Sequence, residues 1–348
     1  MCARDREKDC AIASAKALSQ RLMSKVRATE GDASSTGVAA IAMFELAYGR
    51  VPDDAEMAQL SGLFPAGHLD SASQLHRLLA SFDAQSHPTP LVVRSGRENL
   101  RRHAFDRFSL WLDSDDGSVS AVIADRGVWE PHVTNVLRST LQPGATFIDV
   151  GANVGYHTFL AASLVGANGR VVAVEPSSEN CRLLQLSKMD NEFSNVTILP
   201  VALDRTTGVR YLSSHLGTNG GLVADTQEAL LDGYGTTVLA LTLDDIAPDK
   251  VDVLKIDVEG AEFRVLDGSR KVLERDRPVI VMEFSYEMSS RVSEVDPCEA
   301  LNDLLALGYR LSLLDQVTNQ RVHVRSAEAL LDDWGDALRV EDLLLEPA

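Results

Sequence analysis

A chain of 348 residues exceeds the roughly 150 residues of an average domain, which excludes a single small module and points to about two domains, one of them large. With 45% hydrophobic and 24% charged residues it has the composition of a chain with a buried core, and no apolar run approaches the ~18 residues of a membrane span. Lys and Arg number 33 against 51 Asp and Glu, a formal net charge of −18; such a field repels polyanions and disfavours nucleic acid as the main partner.

Cys2, Cys10, Cys181 and Cys298 form no CxxC pair and no Cys/His cluster, so neither a disulfide framework nor a metal site is expected. The start, MCARDREKDC, lacks the apolar run of a secretory signal, and the expected location is cytoplasmic. Residues 1–34 read as a charged, helical or partly disordered segment with Leu18, Leu22 and Val26 at fourfold spacing. Residues 35–88 read as a small all-helical domain, with apolar runs punctuated by Gly49, Pro52 and Asp53. The block FELAYGRVPDDAEMAQL resembles a small helical domain found beside glycan-modifying enzymes. Such a domain is a candidate surface for a protein partner or a second copy of the chain. The proline-bearing DAQSHPTP reads as a linker, and a larger domain spans 89–348.

In that domain Phe105 to Leu112 and Val119 to Ala124 flank DSDDGS and are predicted as two strands of a hairpin, followed by a helix over Glu130 to Leu141. Strands are then predicted at 145–150, 170–175, 196–202, 236–243, 251–257, 278–284 and 309–315, with helical spacing in most of the segments between. Continuous apolar strands such as RVVAVEP and PVIVMEF belong to a parallel sheet covered on both faces.

Ligands of such sheets bind beyond the carboxyl ends of the strands. The first strand runs into Asp149-Val150-Gly151-Ala152-Asn153-Val154-Gly155 and a helix from Tyr156. The glycines permit a tight turn, and the free amides of the helix favour a carboxylate. A dinucleotide loop would carry glycine where Asn153 stands. Asp149 before the loop suits a ligand with a cationic amine and a small carboxylate better than two phosphates, although a plain structural turn is the bland alternative. Glu175 ends the second strand, placed to accept both hydroxyls of a ribose or to favour the start of the next helix. Val201 and Ala202 stand at the end of the third strand and read as core. In VDVLKIDVEG, strand periodicity puts Lys255, Asp257 and Glu259 on one side. Buried ionisable groups need partners, and Asp149 and Glu283 supply them if their strands flank this one. That cluster is either a structural network or an active site.

FIDVGANVGYHT, RVVAVEP and VDVLKIDVEGAE, in that order and preceded by Trp129-Glu130-Pro131, resemble the FkbM family of S-adenosylmethionine-dependent methyltransferases over about residues 100–315. The resemblance implies an α/β fold: a Rossmann-like class I methyltransferase sheet of seven strands, mostly parallel, with helices on both faces and an antiparallel last hairpin at Tyr309–Leu314 and Arg321–Val324. It implies S-adenosylmethionine as cofactor and S-adenosylhomocysteine as product. Asp149, Gly151, Asn153, Gly155 and Tyr156 would line the methionine end, Glu175 the ribose, and Val201 and Ala202 the adenine. Asp257 would lie near the transferring methyl, orienting the acceptor or serving as base, with Glu259 or Glu283 as second choice and Lys255 tuning them. His157, in the first turn of the helix, reads as packed or solvated rather than catalytic. The implied reaction is O-methylation of a hydroxyl on a sugar, glycolipid or polyketide, the partner being a small-molecule or glycan acceptor. N- or carboxyl-methylation, a nicotinamide-dependent oxidoreductase and a non-catalytic binding module are the alternatives.

Overall fold

The computed structural model describes residues 97–213, 221, 235–332 and 339–348. The segments read as 1–34 and 35–88, and most of the glycine-rich stretch from Ser213 to Gly235, lie outside the described residues.

A hairpin opens the described chain, but with strands β1 (Leu100–Ala104) and β2 (Ser109–Asp113). The expected second strand at Val119 is instead helix α1 (Val119–Arg126). Both carboxylate oxygens of Asp116 accept amide protons there, from Ser118 and Ser120, which satisfies the donors of a first helical turn. Val119, Ser120 and Ile123 form one buried face, and Gly127 at φ 68° ends the helix. Such a short Val/Ile-rich run has no periodicity long enough to settle its type.

Helix α2 (Pro131–Thr140) leads into strand β3 (Thr146–Val150), helix α3 (Tyr156–Val165), strand β4 (Arg170–Val174), helix α4 (Ser178–Asn191) and strand β5 (Val196–Leu199). Strands β6 (Ala202–Leu203), β7 (Gly208–Ser213) and β8 (Gly235–Leu241) follow, then helix α5 (Leu243–Ile246) and strand β9 (Val253–Ile256). Helices α6 (Glu262–Asp267) and α7 (Arg270–Asp276) precede strand β10 (Val279–Phe284). The chain continues through α8 (Tyr286–Ser293), α9 (Pro297–Ala306), β11 (Tyr309–Leu314), β12 (Arg321–Val324), α10 (Ala327–Asp332) and β13 (Glu341–Pro347).

Among the described residues eight strands form the main sheet, in the order β12-β11-β13-β10-β9-β3-β4-β5. The run β10-β9-β3-β4-β5 is parallel throughout. Two features differ from the sequence expectation. The segment predicted as a strand at 236–243 leaves the main sheet and pairs with β6 and β7 in a separate three-stranded one. The antiparallel neighbour of β10 is the unanticipated β13, inserted between β10 and β11, while the expected hairpin of β11 and β12 forms at the edge. A buried carboxylate ties the small sheet to the large domain: Asp204, just after β6, takes 2.7 and 2.8 Å hydrogen bonds from Arg264 of α6 and pairs with Arg210 of β7.

Alternation along the strands divides the core in two. Ile148, Val150, Leu254, Ile256, Ile280, Met282 and Phe284 pack on one face; Phe147, Val253 and Val281 pack on the other with Val133, Leu137, Phe159 and Leu160 of α2 and α3. With period two, Asp149, Lys255, Glu283 and Asp342 all fall on the α2/α3 face. The chain builds β3, β4 and β5 outward, then returns to place β9 against the other side of β3. Strand order therefore reverses between β3 and β9, where an open α/β sheet forms its ligand crevice.

Candidate active site

A cleft opens at this switch point, its empty space about 940 Å³ with the open solvent at its mouth. Every residue singled out from the sequence lines it: Asp149, Gly151, Asn153, Gly155, Tyr156, Glu175, Val201, Ala202, Lys255, Asp257, Glu259 and Glu283.

The glycine loop is shaped by close approach. Gly151 has φ 80°, and a Cβ there would lie 1.8 Å from the carbonyl oxygen of Asp257, so the β3 and β9 ends meet through a residue that can carry no side chain. Asn153 also has a left-handed φ, 49°, and its amide donates to Glu175 Oε2 at 2.8 Å. Ser177 N donates to Glu175 Oε1, also at 2.8 Å. Glu175 thus clasps the loop and leads into α4, whose N-cap is Ser177. Burial pushes its carboxyl up to about 7 against these two amide bonds, which favour the ionised form. Tyr156 opens α3 beneath the rings of Phe105 and Phe108, whose centroids lie 5.7 and 5.6 Å away in edge contacts.

Charge dominates the β3/β9/β10 side. Asp149 and Lys255 are register partners, as are Glu283 and Asp342. Lys255 is buried, and its Nζ donates to Asp257 Oδ2 at 2.8 Å. Burial opposes its charge, but Asp257, Glu130 and Asp149 outweigh that and raise its pKa above the ordinary lysine value. Asp149 Oδ2 accepts from Thr158 Oγ1 at 2.6 Å, whereas its Oδ1 is buried with no hydrogen-bond partner among the described residues. Burial raises its pKa, with the Lys255 ammonium opposing. Glu283 is pushed up to about 11, first by burial and then by Asp257, Glu259, Glu262 and Asp342. Burial and Asp257 bring Glu259 to about 7. Glu259 reaches the cleft differently from the expectation: β9 ends at Ile256, and a turn with Glu259 at φ 56° and Gly260 at φ 96° delivers it.

Sequence reasoning did not assign three further lining residues to the site. Trp129, Glu130 and His157 line the cleft, brought there because α2 and α3 cover this face. Glu130 occupies the N-cap position of α2 at φ 42° without capping the helix through its side chain. Its Oε2 lies 3.8 Å from His157 Nδ1. Burial and the Lys255 charge hold His157 well below the ordinary histidine range, so its imidazole is neutral. The start of α2 is braced by two contacts: Thr134 Oγ1 donates to Trp129 O at 2.8 Å, and the buried His132 and Asp342 meet at 2.6 Å, Nε2 to Oδ2. The Trp-Glu-Pro triplet in the sequence was the available signal.

These shifts set a pH dependence. A carboxyl whose pKa is raised on folding binds its proton more tightly folded than unfolded, so its contribution to stability is complete below the unfolded value and is lost as pH climbs through the folded one. For Glu175 and Glu259 that window closes near 7, and for Glu283 near 11. Glu283→Gln is therefore expected to match the parent in thermal unfolding near pH 5 and to melt a few degrees higher near pH 9, as followed by circular dichroism across that range.

A doubly wound sheet whose order reverses beside a glycine loop, with acidic residues at the strand tips, is the Rossmann-like arrangement of class I methyltransferases. Residues 149–311 match the family model described as Methyltransferase FkbM domain; this stretch belongs to that family and is an S-adenosylmethionine-dependent methyltransferase domain. No curated protein matches the sequence. Among solved structures, the chain is similar to a methyltransferase FkbM from Methylobacillus flagellatus KT at 17% identity and TM-score 0.38, covering 90% of this chain and 60% of that one. An S-adenosylmethionine-dependent O-methyltransferase from Thermotoga maritima is 13% identical at TM-score 0.36, covering 71% of this chain and 86% of that one. Aeropyrum pernix fibrillarin, solved with natively bound S-adenosyl-L-methionine, is 14% identical at TM-score 0.35, covering 62% and 76%. Among the described residues no helix is long and apolar enough to cross a membrane.

Proposed function

We propose that the chain methylates a hydroxyl of a sugar, glycolipid or polyketide-type acceptor, with the donor held in the cleft between β3 and β9. The observation that carries the donor half of this reading is the charge of the cleft. Glu130, Asp149, Glu175, Asp257, Glu259 and Glu283 line it against the single ammonium of Lys255 among the described residues. A wall with that excess of carboxyl groups fits a cationic ligand and opposes the paired phosphates of a dinucleotide, which disfavours the oxidoreductase alternative. The orphaned Asp149 Oδ1 suits an amine, the first amides of α3 suit a carboxylate, and Glu175 would accept from a ribose through the lone pairs that its two amide bonds leave. Val201 and Ala202 form an apolar wall for an adenine.

Bound there, S-adenosylmethionine supplies an electrophilic methyl group. Asp257, ion-paired to Lys255 and a quarter exposed, orients the acceptor hydroxyl and takes its proton, which then passes to solvent. Glu283 holds its own proton at neutral pH and so serves as a hydrogen-bond donor, and Glu259 is the alternative acceptor. Alignment of the reactants supplies much of the remaining rate. Trp129 adds an aromatic face on which a sugar ring can lie. A second copy of the chain or a protein partner would dock through residues 35–88.

The test is to incubate the protein with isotopically labelled donor and an extract of its own cells, and to identify labelled metabolites by mass spectrometry. A labelled hydroxylated glycan or polyketide supports the assignment. Label solely on amines, carboxylates or nucleic acid overturns it. Once the acceptor is in hand, Asp257→Asn is expected to lower kcat by about 10²- to 10⁴-fold, the usual size of a general-base contribution, with S-adenosylhomocysteine affinity unchanged. Unchanged turnover would remove Asp257 from the reaction.

A further inference from the structure

We propose that the carboxyl cluster beneath α2 and α3 makes the cleft charge-selective, holding a ligand with a fixed positive charge beside Lys255 in preference to the same ligand without it. The cleft would then favour the sulfonium donor over its neutral thioether product, and product release would follow from loss of that charge. This rests on the cofactor reading above and adds a property of the same site.

The argument begins with which charges are already matched. Lys255 and Asp257 satisfy each other at 2.8 Å. Glu175 is held by two backbone amides; Glu130, Asp149, Glu259 and Glu283 remain, and no second cation faces them among the described residues lining the cleft. Glu130, before α2, faces Lys255 and Asp257 at the β9 end, Asp149 of β3, Asp342 of β13 and the neutral His157 of α3. Glu283, on β10, faces Asp257 and Glu259 of the β9 end, Glu262 of α6 and Asp342; Asp342 is itself engaged with His132 of α2.

Glu130 Oε2 is buried without a hydrogen bond among the described residues, as is Asp149 Oδ1, the oxygen assigned above to the amine. A buried acceptor left so is costly, and Glu130 adds a left-handed backbone, φ 42°, of the kind that persists at functional sites. Burial of several carboxyls around one ammonium keeps some of them protonated. A fixed positive charge entering beside them lets one ionise: its O–H bond breaks, the proton leaves to solvent and the carboxylate stays with the cation. The amine and carboxylate common to donor and product cancel in the comparison, so the sulfonium charge alone decides it.

Isothermal titration of the full chain with S-adenosylmethionine, S-adenosylhomocysteine and sinefungin, an analogue bearing an amine in place of the sulfonium, tests this between pH 6 and 9. Buffers of different ionisation heat report proton release. The two charged ligands are expected to release more protons than the thioether, and the ratio of thioether to sulfonium Kd to rise with pH by up to about tenfold per unit for one linked proton. Glu130→Gln and Glu283→Gln are expected to flatten that rise while thioether binding, which reports an intact fold, is retained. Equal proton release and parallel pH profiles for the three ligands would overturn the proposal. Failure of all three to bind would instead remove the cofactor reading beneath it.

Discussion

Gly151→Ala is expected to abolish binding of S-adenosylhomocysteine, by about 100-fold or more, and to lower stability by about 2–3 kcal/mol or beyond, because two costs coincide at one atom. The residue sits at φ 80°, which an L side chain rarely adopts, and the new Cβ would meet the Asp257 carbonyl oxygen at 1.8 Å. Neither partner can yield cheaply. The Asp257 amide is bonded to Val150 O at 3.0 Å, and the Gly151 amide to Val174 O at 2.9 Å, so separating them unpairs β3 from a neighbour on each side. A parted loop carries Asn153 N away from Glu175 and Asp257 away from Lys255. Calorimetric titration and urea unfolding measure the two losses. A variant that binds and unfolds like the parent would mean that this contact does not hold the loop.

Lys255→Met is the second large effect. It leaves Asp149, Glu130 and Asp257 around a site with no ammonium, and breaking a buried pair by removing one partner costs about 3–5 kcal/mol. Part of the cost is avoidable, since uncompensated carboxyls take up protons. The destabilisation in urea is therefore expected to be largest near pH 8 and to shrink toward pH 5. In the double variant Lys255→Met/Asp257→Asn, removing the partner carboxylate should recover part of the loss. A deficit that does not vary with pH would point to packing rather than charge, because the lysine stem is also buried.

Both predictions concern residues legible in the sequence, and the reason is local. Asp149, Gly151 and Gly155 stand together after one strand; Lys255, Asp257 and Glu259 stand together after another. Their chemistry is stated by residue type, and the strands are continuous apolar runs with no competing reading. The strand predicted at Val119 to Ala124 is a helix because its helical character comes from Asp116 and Gly127 at its ends rather than from its own periodicity. The strand at 235–241 was found but assigned to the wrong sheet, since pairing partners leave no mark on a strand's own composition.

By itself, then, the amino-acid order determined the alternation of strands and helices, the glycine turn and the acidic tips, because each depends on neighbours a few positions apart. Tertiary structure alone decided that β9 lies against β3, that β13 enters beside β10, and that Glu130 and His157 complete the wall. His132 and Asp342 meet across 210 positions of chain, and Glu283 acquires its high proton affinity first from burial and then from carboxyls of the turn after β9, of α6 and of β13. The field at a buried carboxyl is a sum over everything packed around it. No stretch of sequence contains that sum until the sheet brings its members to one edge.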